Sequence, residues 1–272
     1  MRLLYLQIPI IFCLFMLGCT SEENLERSQD SALIGDVAQI SLSCIDVEKS
    51  LEFYKKLNYS ILEVRLDVQT PWAFLSDGSQ LFMLSQNEFP SPALTFYGKS
   101  LPVRLKKLQA SGLDIEPILD QKGQLKSAVV NNPTEIGITL IDFDTNLLLK
   151  PVRHPDFTLG NFAAIKIPVS DLNEALKFWK KMDFKTLTME DVPYSQVLHE
   201  QIKLQLHLLQ GSTFARPALC YTHQNEENVI INLKNAQIDF EKVLIDQKFW
   251  LFFESPDKQL FMIELVTQPN KE

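Results

Sequence analysis

Residues 38–62, AQISLSCIDVEKSLEFYKKLNYSIL, decide the fold of this chain. Positions 40, 42 and 44 are apolar and alternate with polar residues at 39, 41 and 43, which is the period of a half-buried strand. Asp46 is placed to cap a helix. The apolar residues between Val47 and Leu57 then recur at three- and four-residue spacing, on one face of that helix. The stretch therefore predicts a strand, an amphipathic helix and a second strand.

The same pattern returns at 163–187 as AAIKIPVSDLNEALKFWKKMDFKTL. Asp171 takes the place of Asp46, a difference of 125 in numbering. The aromatic pairs of the two helices, Phe53-Tyr54 and Phe178-Trp179, show the same difference. The constant difference predicts that 80–84 correspond to 205–209. Near the end it falls to 113, which predicts an extra loop in the first copy between Gly123 and Gly137. The chain is therefore predicted to be a tandem duplication of two domains, and not a solenoid of short repeats.

Each copy contains a finer repeat of a strand, a helix and three strands. The pattern predicts an α+β fold of four βαβββ modules, with the first domain at 37–153 and the second at 160–268. The sequence leaves open whether modules pair within a copy or across copies. The predicted segments of the first copy are strands near 38–45, 60–67, 71–76, 80–86, 93–97, 113–119, 126–131, 137–142 and 146–150, with helices at 47–57 and 101–110. Helices near 172–182 and 226–236 are predicted in the second copy.

The N-terminal segment has the features of an export signal. Arg2 precedes an apolar run that ends at Leu17, which is shorter than the roughly 20 residues that cross a bilayer as a helix. Gly18-Cys19 and the polar residues after it resemble a bacterial lipoprotein signal. We therefore expect residues 1–18 to be a signal peptide, Cys19 to be lipidated and 19–36 to be a flexible tether. An ordinary secretory signal with an incidental cysteine is the alternative.

Position 20, directly after the lipidated cysteine, bears on the expected location. In lipoproteins an aspartate there favours retention in the inner membrane, whereas this chain has Thr20. The resemblance therefore implies an outer-membrane lipoprotein of the bacterial cell envelope, facing the periplasm and held to the membrane by its lipid anchor.

Composition narrows the class of protein. A net charge of −8 and a pI near 5.1 exclude a nucleic-acid-binding protein of the usual basic kind. With 46% hydrophobic residues the chain can bury the cores of two domains. Cys44 and Cys220 fall on opposite sides of their predicted strands, so two separate buried thiols are expected and not a disulfide.

The opening of each copy resembles the vicinal oxygen chelate superfamily, which includes glyoxalase I, bleomycin-resistance proteins and extradiol dioxygenases. The resemblance rests on the capping aspartates Asp46 and Asp171, on Phe53-Tyr54 and Phe178-Trp179 in the helices, and on 255–259, a degraded form of the family's DPDGN turn. It covers about 37–267. It implies that paired modules form a cupped, partly open sheet around a cavity.

The resemblance also implies where a metal would bind. Enzymes of the family hold a divalent ion through one residue of the first strand and one of the fourth strand of each module. Donors such as His, Gln or Glu are needed there. The matching positions here are Gln39, Phe82, one near Ala93, Leu149, Ala164, His207, one near Ala218, and Met262. Too few of these are donors, and the best remaining set is His207 with Glu264, which shares the face of Met262.

The leading interpretation is a metal-free protein without a cofactor that binds a small, partly apolar molecule. Gln39, Ser41, Ser43 and Tyr97 are predicted to line the first cup, and Lys166 and His207 the second. One alternative is a glyoxalase- or dioxygenase-like enzyme with a divalent metal in a reduced site, for which no catalytic residue is assigned. Another is a structural lipoprotein of the envelope whose protein partner the sequence does not identify.

Overall fold

The computed structural model describes residues 32–134, 136–188, 194–200, 202–208 and 212–266. The predicted signal peptide, Cys19 and most of the predicted tether lie outside these residues. Within the described ranges, every helix is too short or too polar to span a membrane.

The first copy forms a mixed eight-stranded sheet with two helices on one face. Its strand order is β2-β3-β4-β1-β5-β8-β7-β6. The elements are β1 (Val37–Ser43), α1 (Val47–Lys56), β2 (Ser60–Arg65), β3 (Trp72–Ser76), β4 (Leu81–Ser85), β5 (Ala93–Gly98), α2 (Leu101–Ala110), β6 (Ile115–Leu119), β7 (Leu125–Val130) and β8 (Gly137–Asp142).

The second copy repeats this arrangement in the order β10-β11-β12-β9-β13-β16-β15-β14. Its elements are β9 (Asn161–Val169), α3 (Leu172–Lys181), β10 (Lys185–Thr188), β11 (Tyr194–Leu198), β12 (Lys203–Leu208), β13 (Ala218–His223), α4 (Glu226–Asn235), β14 (Glu241–Ile245), β15 (Lys248–Glu254) and β16 (Leu260–Leu265). The α+β fold of four βαβββ modules is therefore confirmed.

The two modules of a copy join through their first strands. In the first copy β1 pairs antiparallel with β5, which places Gln39 opposite Thr95 and Ser41 opposite Ala93. In the second copy β9 pairs with β13 in the same way. The modules thus pair within a copy, a question that the sequence left open.

The predicted helix caps are present. The Asp46 carboxylate accepts the backbone N–H groups of Glu48 and Lys49, each at 3.1 Å. Asp171 accepts the N–H of Glu174 at 2.9 Å. These bonds satisfy N–H groups that the first turn of a helix leaves free.

The helix-bearing faces of the two sheets meet in one hydrophobic core. Phe53 of α1 packs against Phe261 of the second sheet, with ring centroids 6.0 Å apart. The cupped faces therefore point away from this core. Cys44 lies in the shared core and Cys220 in a smaller cluster of the second sheet, and both are free buried thiols, as predicted.

A buried chain of hydrogen bonds also crosses between the copies. The Tyr59 hydroxyl lies 2.6 Å from the Tyr221 hydroxyl, which donates to the Asp77 carboxylate at 3.1 Å. Burial raises the pKa of Asp77, although the N–H groups of Ser79 and Gln80 stabilise the carboxylate. These polar contacts align the two copies within an otherwise apolar core.

The register of the duplication differs from the predicted one. Ser41 lies beside Met83 and its counterpart Lys166 beside Gln205, so the difference in numbering at the fourth strand is 122 and not 125. His207 therefore corresponds to Ser85, and the predicted match with Phe82 is wrong. Phe82 faces the helices. Because the fourth strand is apolar on both faces, its composition did not show which residues face the helices.

The last strand is shifted as well. Ala93 pairs with Gly137 and Ala218 with Leu260, so the difference there is 123 and not 113. The large extra loop predicted between 123 and 137 is wrong, because the two copies differ by only two residues at this point. Met262 consequently corresponds to Thr139 and not to Leu149.

Two further segments depart from prediction. Residues 146–150 do not form a strand, since a 3-10 helix spans Thr145–Leu147 and the chain then runs irregularly past the sheet. The predicted tether ends before residue 36, because Ile34 is fully buried and its carbonyl accepts a bond from Arg104 at 2.7 Å.

Candidate ligand-binding site

The cupped face of the first sheet, called here the first cup, encloses a cavity of about 370 Å³. This volume lies within the range of small-molecule pockets. Residues from all eight strands, from the segment after β4 and from the segment after β8 line it. They are Gln39, Ser41, Glu63, Trp72, Phe74, Leu81, Met83, Ser85, Asn87, Phe89, Ala93, Thr95, Tyr97, Ile118, Ser127, Thr139, Ile141, Phe143, Leu147, Leu148 and Leu149.

Four polar residues on the two central strands form the floor network of this cavity. The Tyr97 hydroxyl donates to Gln39 Oε1 at 2.8 Å, and Gln39 Nε2 donates to Ser41 Oγ at 3.0 Å. Ser41 Oγ lies 3.2 Å from Thr95 Oγ1. Burial raises the pKa of Tyr97 although the bond to Gln39 lowers it, so the phenol stays a donor at neutral pH.

Aromatic side chains form the walls. Trp72 and Phe74 on β3 meet edge to face with centroids 5.0 Å apart, and Tyr97 contacts Phe143 at 5.9 Å in the same geometry. Such walls favour apolar, ring-containing ligands.

The segment that was predicted to be a strand forms the mouth of the cavity. Leu147 and Leu149 line the cavity while remaining exposed. The segment is held at its start by an ion pair between Lys99 Nζ and Asp144 at 2.9 Å. A leucine rim of this kind extends the apolar wall toward the entrance.

The charge of the lining is small. Glu63 is the charged residue among the described lining residues, and its carboxylate is paired with Arg65 Nε at 3.0 Å. None of those residues is basic. The cavity is therefore nearly neutral and offers no counter-charge for an anion.

Of the residues predicted for the first cup, the structure brings Gln39, Ser41 and Tyr97 together at its floor. Ser43 is not among the lining residues: its hydroxyl donates to the Asn87 carbonyl at 2.6 Å, and it borders an adjacent groove that shares Asn87 and Phe89 with the cavity. The ligand-binding role of these residues stays a prediction.

The cupped face of the second sheet, the second cup, carries large side chains among its described residues. Phe214, Trp250 and Met262 pack with Cys220 in a small apolar cluster on this face. Lys166 lies there too, with Nζ 3.8 Å from the centre of the Trp250 ring. Burial lowers the pKa of Lys166, which is only 6% exposed.

His207, the other residue predicted for the second cup, is enclosed by aromatic rings. It stacks on Tyr194 with centroids 4.7 Å apart and meets Phe214 edge to face at 5.0 Å. Burial, followed by the charge of Lys166, lowers its pKa to about 3. Its Nε2 has no hydrogen-bond partner among the described residues.

The second cup does not assemble the metal site considered from the sequence. His207 lies beside Pro168 on β9, whereas Glu264 is in register with Thr222 and hence with Asn161 at the other end of that strand. Seven residues of strand correspond to roughly 23 Å. The Glu264 carboxylate is instead paired with Lys248.

The donor chemistry agrees with this geometry. The first-strand positions hold Gln39 and Ala164, the corrected fourth-strand positions hold Ser85 and His207, and the corrected last-strand positions hold Thr139 and Met262. Within the described ranges there is no cluster of three His, Cys, Asp or Glu residues able to hold a metal ion. The residues at the family's ligand positions do not fit a divalent metal.

Sequence reasoning missed several lining residues of the first cup. Trp72 is one of them: it alternates with Ala73 of the core and so faces the cavity. Ser127 lies on a strand whose alternation is visible in the sequence. The sequence does not indicate that the face carrying Ser127 borders a cavity. The rim from Leu147 to Leu149 carried a misleading strand pattern.

No protein-family model matches the chain, and no curated protein matches its sequence. Solved structures with a similar fold are known. A catechol 2,3-dioxygenase is similar with a TM-score of 0.58 and 14% identity, over 88% of this chain and 90% of that one. A variant of homoprotocatechuate 2,3-dioxygenase from Brevibacterium fuscum gives 0.57 and 14%, over 88% and 73%. The enzyme from Arthrobacter globiformis gives 0.55 and 15%, over 88% and 83%.

These extradiol dioxygenases belong to the vicinal oxygen chelate superfamily, so this chain has the vicinal oxygen chelate fold. The resemblance seen in the sequence is thereby confirmed at the level of the fold. At identities of 14% and 15%, the activity of these enzymes cannot be assigned to this chain, because proteins of one fold catalyse many different reactions.

Proposed function

We propose that the protein binds a small, neutral and largely apolar molecule in the first cup, without a metal. The observation that carries this proposal is the cavity of about 370 Å³, which has aromatic walls and a polar floor. Pockets that are apolar with a few converging polar groups are the usual form of small-molecule sites.

The contrast with the second cup supports this assignment. The first cup keeps space at its centre, whereas Phe214 and Trp250 take up the corresponding space in the second. A folded domain gains stability from filling such a space. An open cavity in one of two copies is therefore accounted for by a ligand.

The membrane anchor belongs to the same proposal. It is supported by the apolar run ending at Leu17, by Gly18-Cys19 and by Thr20. We infer a lipoprotein of the outer membrane that presents its domains to the periplasm. Three acyl chains would hold it stably, since one chain alone binds only marginally.

Ligand binding is tested by titrating the purified protein with the neutral fluorophore N-phenyl-1-naphthylamine. Because Trp72 lines the cavity, we expect saturable energy transfer from tryptophan and a stoichiometry of about one. Mass spectrometry of an organic extract of the purified protein then identifies any co-purified molecule. Failure of the fluorophore to saturate, with an empty extract, would refute the proposal.

The absence of a functional metal is tested separately. Elemental analysis after dialysis is expected to give far less than one equivalent of any divalent metal. A stoichiometric ion that survives dialysis and is lost in His207→Ala would support the metalloenzyme alternative instead.

The anchor is tested by expressing Cys19→Ser alongside the unaltered chain. We expect the unaltered chain in the membrane fraction with incorporated radiolabelled palmitate, and the variant without label. If the two chains distribute alike between the soluble and membrane fractions and neither carries label, an ordinary secretory signal is favoured.

A further inference from the structure

The floor network of the first cup contains one hydroxyl hydrogen that no acceptor within the network takes up. Tyr97 uses its hydrogen on Gln39, and Gln39 uses one of its two amide hydrogens on Ser41. Ser41 and Thr95 share one bond, in which either hydroxyl can be the donor. Since each hydroxyl carries one hydrogen, one of the two hydroxyl hydrogens is left over in either arrangement.

The position of this spare hydrogen points to the ligand. Gln39 is fully buried, so its second amide hydrogen lies behind the cavity surface. Thr95 is 7% exposed and, like Ser41, lines the cavity. Tyr97 also lines the cavity, but its hydrogen is used on Gln39, so the hydroxyl pair is the end of this chain of bonds that keeps a hydrogen for a ligand.

The surroundings select the kind of acceptor. No described residue of the lining is basic, and its charged residue, Glu63, is already paired with Arg65. Burying a carboxylate or phosphate here without a counter-ion would cost far more than a hydroxyl bond returns. A neutral oxygen carries no such penalty.

On the basis of the function proposed above, we infer that the ligand carries a neutral carbonyl or ether oxygen that accepts a hydrogen bond from the Ser41–Thr95 hydroxyl pair. Its ring system then lies between the aromatic walls, with the leucine rim at the mouth. The first cup discriminates against the corresponding anion.

The inference is tested with three compounds of one ring system: 2-acetylfluorene, 2-ethylfluorene and fluorene-2-carboxylate. Affinities are measured by displacement of N-phenyl-1-naphthylamine and confirmed by calorimetry. A hydrogen bond of ordinary strength predicts that the ketone binds about three- to ten-fold more tightly than the hydrocarbon. The carboxylate is expected to bind at least ten-fold more weakly than the ketone.

Substitutions then locate the donor. In Ser41→Ala/Thr95→Val, which keeps the side-chain volumes nearly unchanged, the preference for the ketone should fall to about one while the affinity for 2-ethylfluorene stays the same. Ser43→Ala is the matched control, because Ser43 lies on the same strand but outside the cavity. It should leave all three affinities unchanged. Thermal unfolding of each variant confirms that it is folded.

The outcomes separate the two proposals. If none of the compounds binds and the fluorophore does not either, the proposed function itself is wrong. If hydrocarbon and ketone bind equally, or the double variant keeps the ketone preference, the cup binds apolar molecules but the hydroxyl pair is not the recognition element. Tighter binding of the carboxylate would also overturn the inference.

Discussion

The two cups share one topology and differ in what occupies their centre. Ser127 lies opposite Ile141 in the first sheet, and Trp250 lies opposite the corresponding Glu264 in the second. A hydroxymethyl group and an indole thus stand at the same place. In the second cup the indole, packed with Phe214, fills the space that the first cup leaves open.

Neighbouring positions change in the same direction. Ser41 of the first floor corresponds to Lys166, and Thr139 corresponds to Met262. Three small polar residues have larger counterparts in the second copy. The comparison indicates that side-chain volume at these inward positions distinguishes the two cups.

The largest expected effect is on the second cup. Trp250→Ser should reduce the free energy of unfolding by about 3–5 kcal/mol, because it deletes a buried ring and leaves a void. It should also create a second site for N-phenyl-1-naphthylamine. Chemical denaturation and the binding stoichiometry measure the two effects. An unchanged stability would show that the indole does not fill the cup.

The reverse exchange closes the first cup. Ser127→Trp places the second cup's indole into the cavity and should weaken binding of the fluorophore by about 100-fold, or about 2.7 kcal/mol. Ser127→Ala is the control and should bind nearly as the unaltered protein does. Retained binding in the tryptophan variant would place the ligand outside this cavity.

The acid sensitivity of the second cup is the third test. The folded-state pKa of His207 is about 3, below its ordinary value of 6.5, so the unfolded chain binds more protons between these values. His207 should therefore cost the folded state stability as the pH falls from 6.5 toward 3. Relative to His207→Gln, the unaltered protein should lose up to about 1.4 kcal/mol more per pH unit over this range. Parallel pH profiles from denaturant titrations would contradict a neutral buried imidazole.

The smallest effect concerns the buried lysine. Lys166→Met keeps the length of the side chain and its packing on Trp250 but removes a charge that burial disfavours. We expect a gain of about 1 kcal/mol in unfolding free energy at neutral pH, net of the lost cation–π contact. A clear loss of stability would mean that the cation–π contact outweighs the burial of the charge.

Much of the fold was accessible from the sequence because its signals are local. Alternation in β1, the caps Asp46 and Asp171 and the apolar face of α1 each follow from neighbours a few residues away. The duplication then supplied the second copy. The site was only partly accessible: alternation placed Gln39, Ser41 and Tyr97 on the cup face, but it did not show that Trp72 or Ser127 borders empty space.

By itself the sequence determined the four modules, the shared α+β fold and the scarcity of metal donors at the expected positions, since periodicity and residue type are properties of the chain. Only the tertiary structure decided the strand register, the pairing of modules within a copy, the separation of His207 from Glu264 and the openness of one cup beside the filling of the other. Register depends on contacts between segments distant in sequence. A cavity is a volume that several strands leave together, so no single stretch encodes it.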